Sequence, residues 1–111
     1  MLLTQAFGSA INETLLLETM HAMATRLRPY GYEYANIDDS WASSTRATNG
    51  SLVANRSQFP NGIAFLADVA HSLDLRLGLY TARGSVTCAK RPGSLGHYEV
   101  DATTFANWGV D

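Results

Sequence analysis

Two apolar runs constrain this chain more than any other feature. Residues 32–37 (Tyr-Glu-Tyr-Ala-Asn-Ile) and 75–80 (Leu-Arg-Leu-Gly-Leu-Tyr) are rich in aliphatic and aromatic side chains and read as strands. They lie about 40 residues apart, and between them Ile63, Leu66, Ala67 and Ala70 recur at helical spacing, predicting a helix over 61–72. Strand, helix, strand over that distance implies parallel pairing with a right-handed crossover. A helix also precedes the first run. Asn12 suits its N-cap, Glu13 complements its positive end, and Leu16, Met20, Met23 and Leu27 mark one buried face. Pro29 and Gly31 end it. A third, short helix is predicted through Phe105 and Trp108, with Asp101 as its cap and Gly109 as its stop. Leu2 to Phe7 reads as a degenerate strand and Val110-Asp111 as the opening of another.

The connections are unequal. Those after the strands are long: 38–60, with a tight turn at Asn49-Gly50, and 81–98, punctuated by Gly84, Pro92-Gly93 and Gly96. Those after the helices are short. This asymmetry marks a (β/α) barrel, whose functional groups sit on the loops at the strands' C-terminal ends. A doubly wound sheet is the alternative, but neither strand is followed by G-x-G-x-x-G, so the dinucleotide fingerprint is missing. A closed barrel takes roughly 200 residues or more. The chain has 111. The predicted class is therefore α/β: a partial (β/α)8 TIM barrel of about the first three βα units, its sheet not closed. Its open strand edges would invite aggregation or pairing with another chain.

Composition narrows the function classes. With 46% hydrophobic residues, 16% charged and a net charge of −2, the chain fits one globular unit. Its 8 Lys and Arg are scattered without a basic stripe, which disfavours nucleic acid as a partner. No apolar stretch approaches the ~20 residues of a membrane span, and Met1-Leu2-Leu3 is too short for a signal-peptide core. Cys88 is the single cysteine, so it is free or its partner lies elsewhere. His21, His71 and His97 share no metal-ligand spacing and suit the surface or helix packing. Sequons at Asn12, Asn49 and Asn55 would accept glycans in a secretory pathway, though such tripeptides arise by chance in a chain rich in Asn, Ser and Thr.

The chemistry gathers where the first strand run stops, at Asn36-Ile37-Asp38-Asp39-Ser40-Trp41. Carboxylates at the C-terminal mouth of a strand can accept hydrogen bonds from sugar hydroxyls, while an aromatic face can cover the apolar side of the ring. Asp38 and Asp39 cannot easily flank one glycosidic bond, because neighbours on a strand point to opposite faces. Their geometry suits hydroxyl binding.

Several collinear motifs then resemble one family. Ile11-Asn12-Glu13, the run from Gly31 to Trp41, Phe59-Pro60-Asn61-Gly62-Ile63, Leu77-Gly78-Leu79-Tyr80, Thr87-Cys88-Ala89-Lys90-Arg91-Pro92-Gly93-Ser94 and the run from Phe105 to Asp111 are similar to the N-terminal part of the α-galactosidase/α-N-acetylgalactosaminidase family, the melibiases of glycoside hydrolase family 27. The resemblance runs from about residue 7 to the last. It implies a (β/α)8 catalytic barrel, of which 1–111 are an N-terminal fragment, and cofactor-free, retaining hydrolysis of terminal α-linked galactose. The implied partners are α-galactoside sugars. By resemblance, Asp38 and Asp39 hold hydroxyls at the non-reducing end of galactose, Trp41 sits beside the pocket and Tyr80 lines it. Cys88 resembles a cysteine bonded to a partner just after the nucleophile, and that partner is absent here. Retention needs a nucleophile and an acid/base about 5 Å apart. The resemblance puts both beyond Asp111, so this chain alone is expected to be inactive. A secreted or lysosomal/vacuolar setting is implied, although no signal peptide is visible.

Departures from the family pattern fall near the site. The first strand's tryptophans are replaced within Met1 to Phe7, and Ser9 and Ser40 stand where the family usually has a disulfide pair. Ala82 replaces an Asp beside Tyr80, and Arg83 adds a charge. The alternative reading is a non-catalytic carbohydrate-binding or interaction module that pairs through its open sheet edge.

Overall fold

A computed structural model describes residues 8–111; the predicted strand at Leu2 to Phe7 lies outside the described residues. Helix α1 spans Glu13–Ala22. Asn12 caps it, with extended backbone (φ −149°) and its Oδ1 accepting the Leu15 N–H at 2.9 Å. Leu16, Met20 and Met23 are buried, as the spacing predicts, whereas Leu27 is only partly buried against the core. The last part of the helix widens into a π-type turn over Met23–Leu27, then tightens over Arg28–Tyr30. Gly31, at φ 89°, ends it in the left-handed conformation that glycine adopts without strain. Glu13 does more than complement the helix end. Its buried carboxylate accepts the Asn61 N–H at 3.0 Å and the Asn61 Nδ2 at 2.8 Å, stapling α1 to the start of the next helix.

Strands β1 (Tyr34–Ile37) and β2 (Arg76–Leu79) pair in parallel, with Ala35 opposite Leu77 and Ile37 opposite Leu79. Both are shorter than the apolar runs that contain them, although the Arg76 N–H donates to Glu33 O and the Tyr80 N–H to Ile37 O, extending the ladder at each end. Helix α2 (Gly62–Ser72) connects them, and its buried Ile63, Leu66, Ala67 and Ala70 are the inward face that the periodicity predicts. It packs on β2, on α1 and on a third helix, α3 (Tyr98–Trp108). The result is an α/β unit with a small open parallel sheet. Beyond α3, the Asp111 N–H donates to Leu77 O at 2.9 Å. That is a single backbone bond from the segment that reads as a further strand.

Helix α3 differs from its prediction at its start. It begins at Tyr98 with His97 in the cap position, so Asp101 is not its cap but lies within its first turn, where its N–H donates to His97 O. Asp101 is only 2% exposed and is the one fully buried residue of α3. It is drawn inward by a partner on a distant loop. Gly109 ends the helix as predicted, at φ 79°.

Trp41, Leu52 and Phe59 carry the core outward from the sheet beneath the β1–α2 loop, and a bridge between Ala42 and Ala54 closes that loop on itself. Gly78 fits β2 to β1: a Cβ there would sit 2.0 Å from the Asn36 Oδ1.

Candidate functional site

The C-terminal ends of the two strands border an open cavity of about 400 Å³ lined by Asn36, Ile37, Asp38, Gly78, Leu79 and Tyr80. Two of the four sugar-site residues read from the sequence, Asp38 and Tyr80, therefore share one cavity. Asp38 Oδ1 accepts the N–H of Asp39 at 2.8 Å, which orients the carboxylate at the strand end. Burial, then the neighbouring charges of Asp39, Cys88 and Asp38, push the Tyr80 phenol above its ordinary pKa. Tyr80 is thus a neutral hydroxyl at physiological pH, able to donate as well as accept.

Asp39 is not among the residues that line that cavity. Its Oδ1 accepts the Ser40 N–H and the Thr87 Oγ1–H, both at 2.8 Å, and its Oδ2 accepts the Ala89 N–H at 2.8 Å. The carboxylate thereby grips a tight turn of the β2–α3 loop. There the Thr87 N–H donates to Arg91 O, the Lys90 N–H to Thr87 O, and Val86 bridges Pro92. Cys88 is an exposed free thiol in that turn.

Trp41 does not line the cavity. It is 2% exposed, with Phe105 and Trp108 of α3 each edge-on at 6.0 Å between ring centroids. Its indole Nε1–H donates to Tyr80 O at 2.7 Å. Trp41 therefore meets the site through the backbone of Tyr80 rather than through an open aromatic face.

Sequence reading missed a second set of residues. The Arg46 guanidinium forks onto Asp101, Nη1 to Oδ1 at 2.6 Å and Nη2 to Oδ2 at 2.9 Å. The same nitrogens donate to Gly50 O at 2.8 Å and Gly93 O at 2.9 Å. Ser94 Oγ donates to Asp101 Oδ2 at 2.6 Å and also meets Thr81 Oγ1 at 2.8 Å. Burial alone would raise the Asp101 pKa, but the hydrogen bonds from Arg46 and Ser94 outweigh it and hold the carboxyl below the usual range. Gly93 fits tightly here: a Cβ would meet Gly84 O at 2.1 Å. The sequence marked Asp101 as a helix cap and Asn49-Gly50 and Pro92-Gly93 as turns, but nothing linked them to Arg46, because the two ionic partners are 55 residues apart.

All three histidines have a hydrogen-bond partner: His21 Nδ1 lies 2.8 Å from Leu17 O and His97 Nδ1 3.0 Å from Leu95 O, while His71 Nε2 lies 2.7 Å from Asp111 Oδ2 and joins α2 to the segment after α3. Among the described residues no group of three or more His, Cys, Asp or Glu could hold a metal ion, and no helix is long and apolar enough to cross a membrane.

Comparison with known proteins gives a consistent result. A family model described as Alpha galactosidase A, of the melibiase type, matches residues 4–111. An α-galactosidase from Cyamopsis tetragonoloba is 53% identical over 107 residues, which cover 95% of this chain and 26% of that relative. The crystal structure of α-galactosidase I from Mortierella vinacea superimposes with a TM-score of 0.97 at 37% identity, covering 99% of this chain and 28% of that one. An α-galactosidase from Saccharomyces cerevisiae with raffinose superimposes with a TM-score of 0.94 at 40% identity, over 99% of this chain and 24% of that one. The chain thus spans about a quarter of the length of these relatives.

Proposed function

Because this chain belongs to the α-galactosidase A family of melibiases, we propose that residues 1–111 form the first part of a (β/α)8 catalytic barrel and contribute one wall of a site for terminal α-linked galactose. The observation that carries this reading is the shared cavity of Asp38 and Tyr80 at the strands' C-terminal ends, where barrel enzymes keep their chemistry. A carboxylate acceptor beside a neutral phenol donor matches the paired donor and acceptor character of adjacent sugar hydroxyls. Asp39 serves the same site by holding the β2–α3 loop, and Trp41 serves it by fixing the Tyr80 backbone.

The proposed role of these residues is recognition rather than bond cleavage. Retaining hydrolysis needs two carboxyl groups about 5 Å apart on opposite sides of the glycosidic bond. Asp38 and Asp39 are adjacent in sequence, and the Asp39 oxygens are already engaged with the loop. The 111 residues alone should therefore bind galactose without turning over a galactoside.

Titration of the chain with galactose, followed by tryptophan fluorescence, tests the reading, with glucose as the C4-epimer control. Saturable binding of galactose should weaken at least tenfold in Asp38→Asn, in line with about 1.5–3 kcal/mol for a hydrogen bond to a charged group. Equal response to glucose, or no change in Asp38→Asn, would sink the site assignment. Hydrolysis of an aryl α-galactoside by the pure chain, abolished by Asp38→Ala, would overturn the recognition-only role.

A further inference from the structure

The Arg46–Asp101 pair joins three parts of the molecule. Arg46 belongs to the β1–α2 loop, Asp101 to α3, and Gly93 and Ser94 to the β2–α3 loop. The two charged side chains are only 12% and 3% exposed. Arg46 satisfies both Asp101 oxygens and two backbone carbonyls, Gly50 O and Gly93 O, one from each of the two loops at the strand mouths. Earlier in the β2–α3 loop, Thr87 and Ala89 offer the hydrogen bonds that Asp39 accepts.

We propose that Arg46 is a positioning residue for the site: forked on Asp101, its guanidinium sets the β2–α3 loop in register with the β1–α2 loop and so delivers Thr87 and Ala89 to Asp39. This rests on the reading that Asp38 and Tyr80 form the sugar site and that Asp39 serves it by holding the loop, but the register itself exists without any sugar. Planarity and the number of donors explain why arginine stands here. One guanidinium can fork onto a carboxylate and still cap two carbonyls, which a lysine ammonium cannot do in a fixed geometry.

A buried ion pair contributes to specificity and to stability in separable ways. Removing one partner strands a buried charge and is strongly destabilising, whereas replacing both with apolar residues of similar volume is often neutral. The test therefore compares Arg46→Met, Asp101→Leu and the double variant Arg46→Met/Asp101→Leu, in which Ser94 keeps Thr81 as a partner. Residue-resolved amide hydrogen exchange and thermal unfolding are read on the unliganded 111-residue chain. Both single variants should lower the unfolding midpoint, and the double variant should recover most of it. The Ala89 and Arg91 amides should nevertheless remain at least about tenfold less protected in the double variant than in the native chain, with Leu66 and Ala70 of α2 within about twofold of native.

Recovery of loop protection together with the midpoint would overturn the proposal, since the pair would then act through stability alone. Unprotected Ala89 and Arg91 amides in the native chain would also overturn it. If the double variant does not fold, Arg46→Lys carries the same comparison: it keeps the charge against Asp101 but loses the fork, and loop-selective loss is the supporting result. Uniform loss, or none, refutes it. A galactose titration of the same proteins separates the two readings. A native chain that binds no galactose removes the sugar site and leaves the exchange result standing.

Discussion

Trp41 illustrates what one residue can hide. Its place next to two carboxylates suggests an aromatic wall for a sugar ring, and by sequence alone that is its nearest chemistry. Folding turns the ring inward against Phe105 and Trp108, leaving only the indole N–H to reach the site, through Tyr80 O. Trp41→Phe should keep most of the ring packing and lose that bond, leaving the Tyr80 carbonyl unsatisfied. A destabilisation of roughly 1–3 kcal/mol is expected from urea unfolding. No measurable change would mean that the indole hydrogen bond is dispensable. Asp101 teaches the same lesson from the opposite side. A cap is the reasonable local reading of an acid near a helix start, yet the residue that claims it is Arg46, which no local pattern could nominate.

At the scale of elements, local rules carried further. Asn12 caps α1 with the hydrogen bond that its side chain predicts, and α2 buries the face that its periodicity marks. Asn12→Ala should therefore cost about 1 kcal/mol of stability, measured as a shift in the denaturation midpoint. The strands were legible as apolar runs but not in their length, because pairing partners decide where a ladder begins and ends. Gly78 is the clearest case of pairing acting on a single position. Its added methyl in Gly78→Ala would fall 2.0 Å from the Asn36 Oδ1, so Asn36 must swing or the strands must part. A loss of about 1–3 kcal/mol by thermal unfolding is expected from such overpacking. Because Asn36 lines the cavity beside Asp38, galactose binding should weaken in the same variant. Unchanged stability and binding would show that Asn36 relaxes freely.

For the whole molecule, the relevant variable is pH. Asp101 and Asp111 both have carboxyls held below their ordinary values. For Asp101, burial opposes the shift but the hydrogen bonds from Arg46 and Ser94 prevail. For Asp111, the His71 ring nitrogen and the Leu77 N–H stabilise the anion. A depressed folded-state pKa contributes stability that is complete above the unfolded value and is lost as pH falls through the folded one. Stability should thus be level from neutral pH down to about pH 4, then fall on further acidification as these carboxylates take up protons. In Asp101→Asn the starting stability should be lower, since Arg46 loses its counter-charge, and the acid slope shallower, since one linked proton is gone. Urea midpoints at a series of pH values check both parts, and an unchanged slope would mean that Asp101 is not among the linked groups.

The chain by itself determined the order of helices and strands, the helix faces, the Asn12 cap, the two glycine stops and the family to which it belongs, because each of these follows from contacts between near neighbours in sequence or from collinear motifs. It also nominated Asp38 and Tyr80, since strand ends declare themselves where an apolar run meets polar loop. Only tertiary structure decided that Asp39 grips a loop, that Trp41 is buried and that Arg46 and Asp101 join two loops to a helix. Those outcomes depend on groups roughly 40 to 55 residues apart being brought within hydrogen-bond range, where the cost of burying a polar atom selects its partner by geometry rather than by sequence spacing.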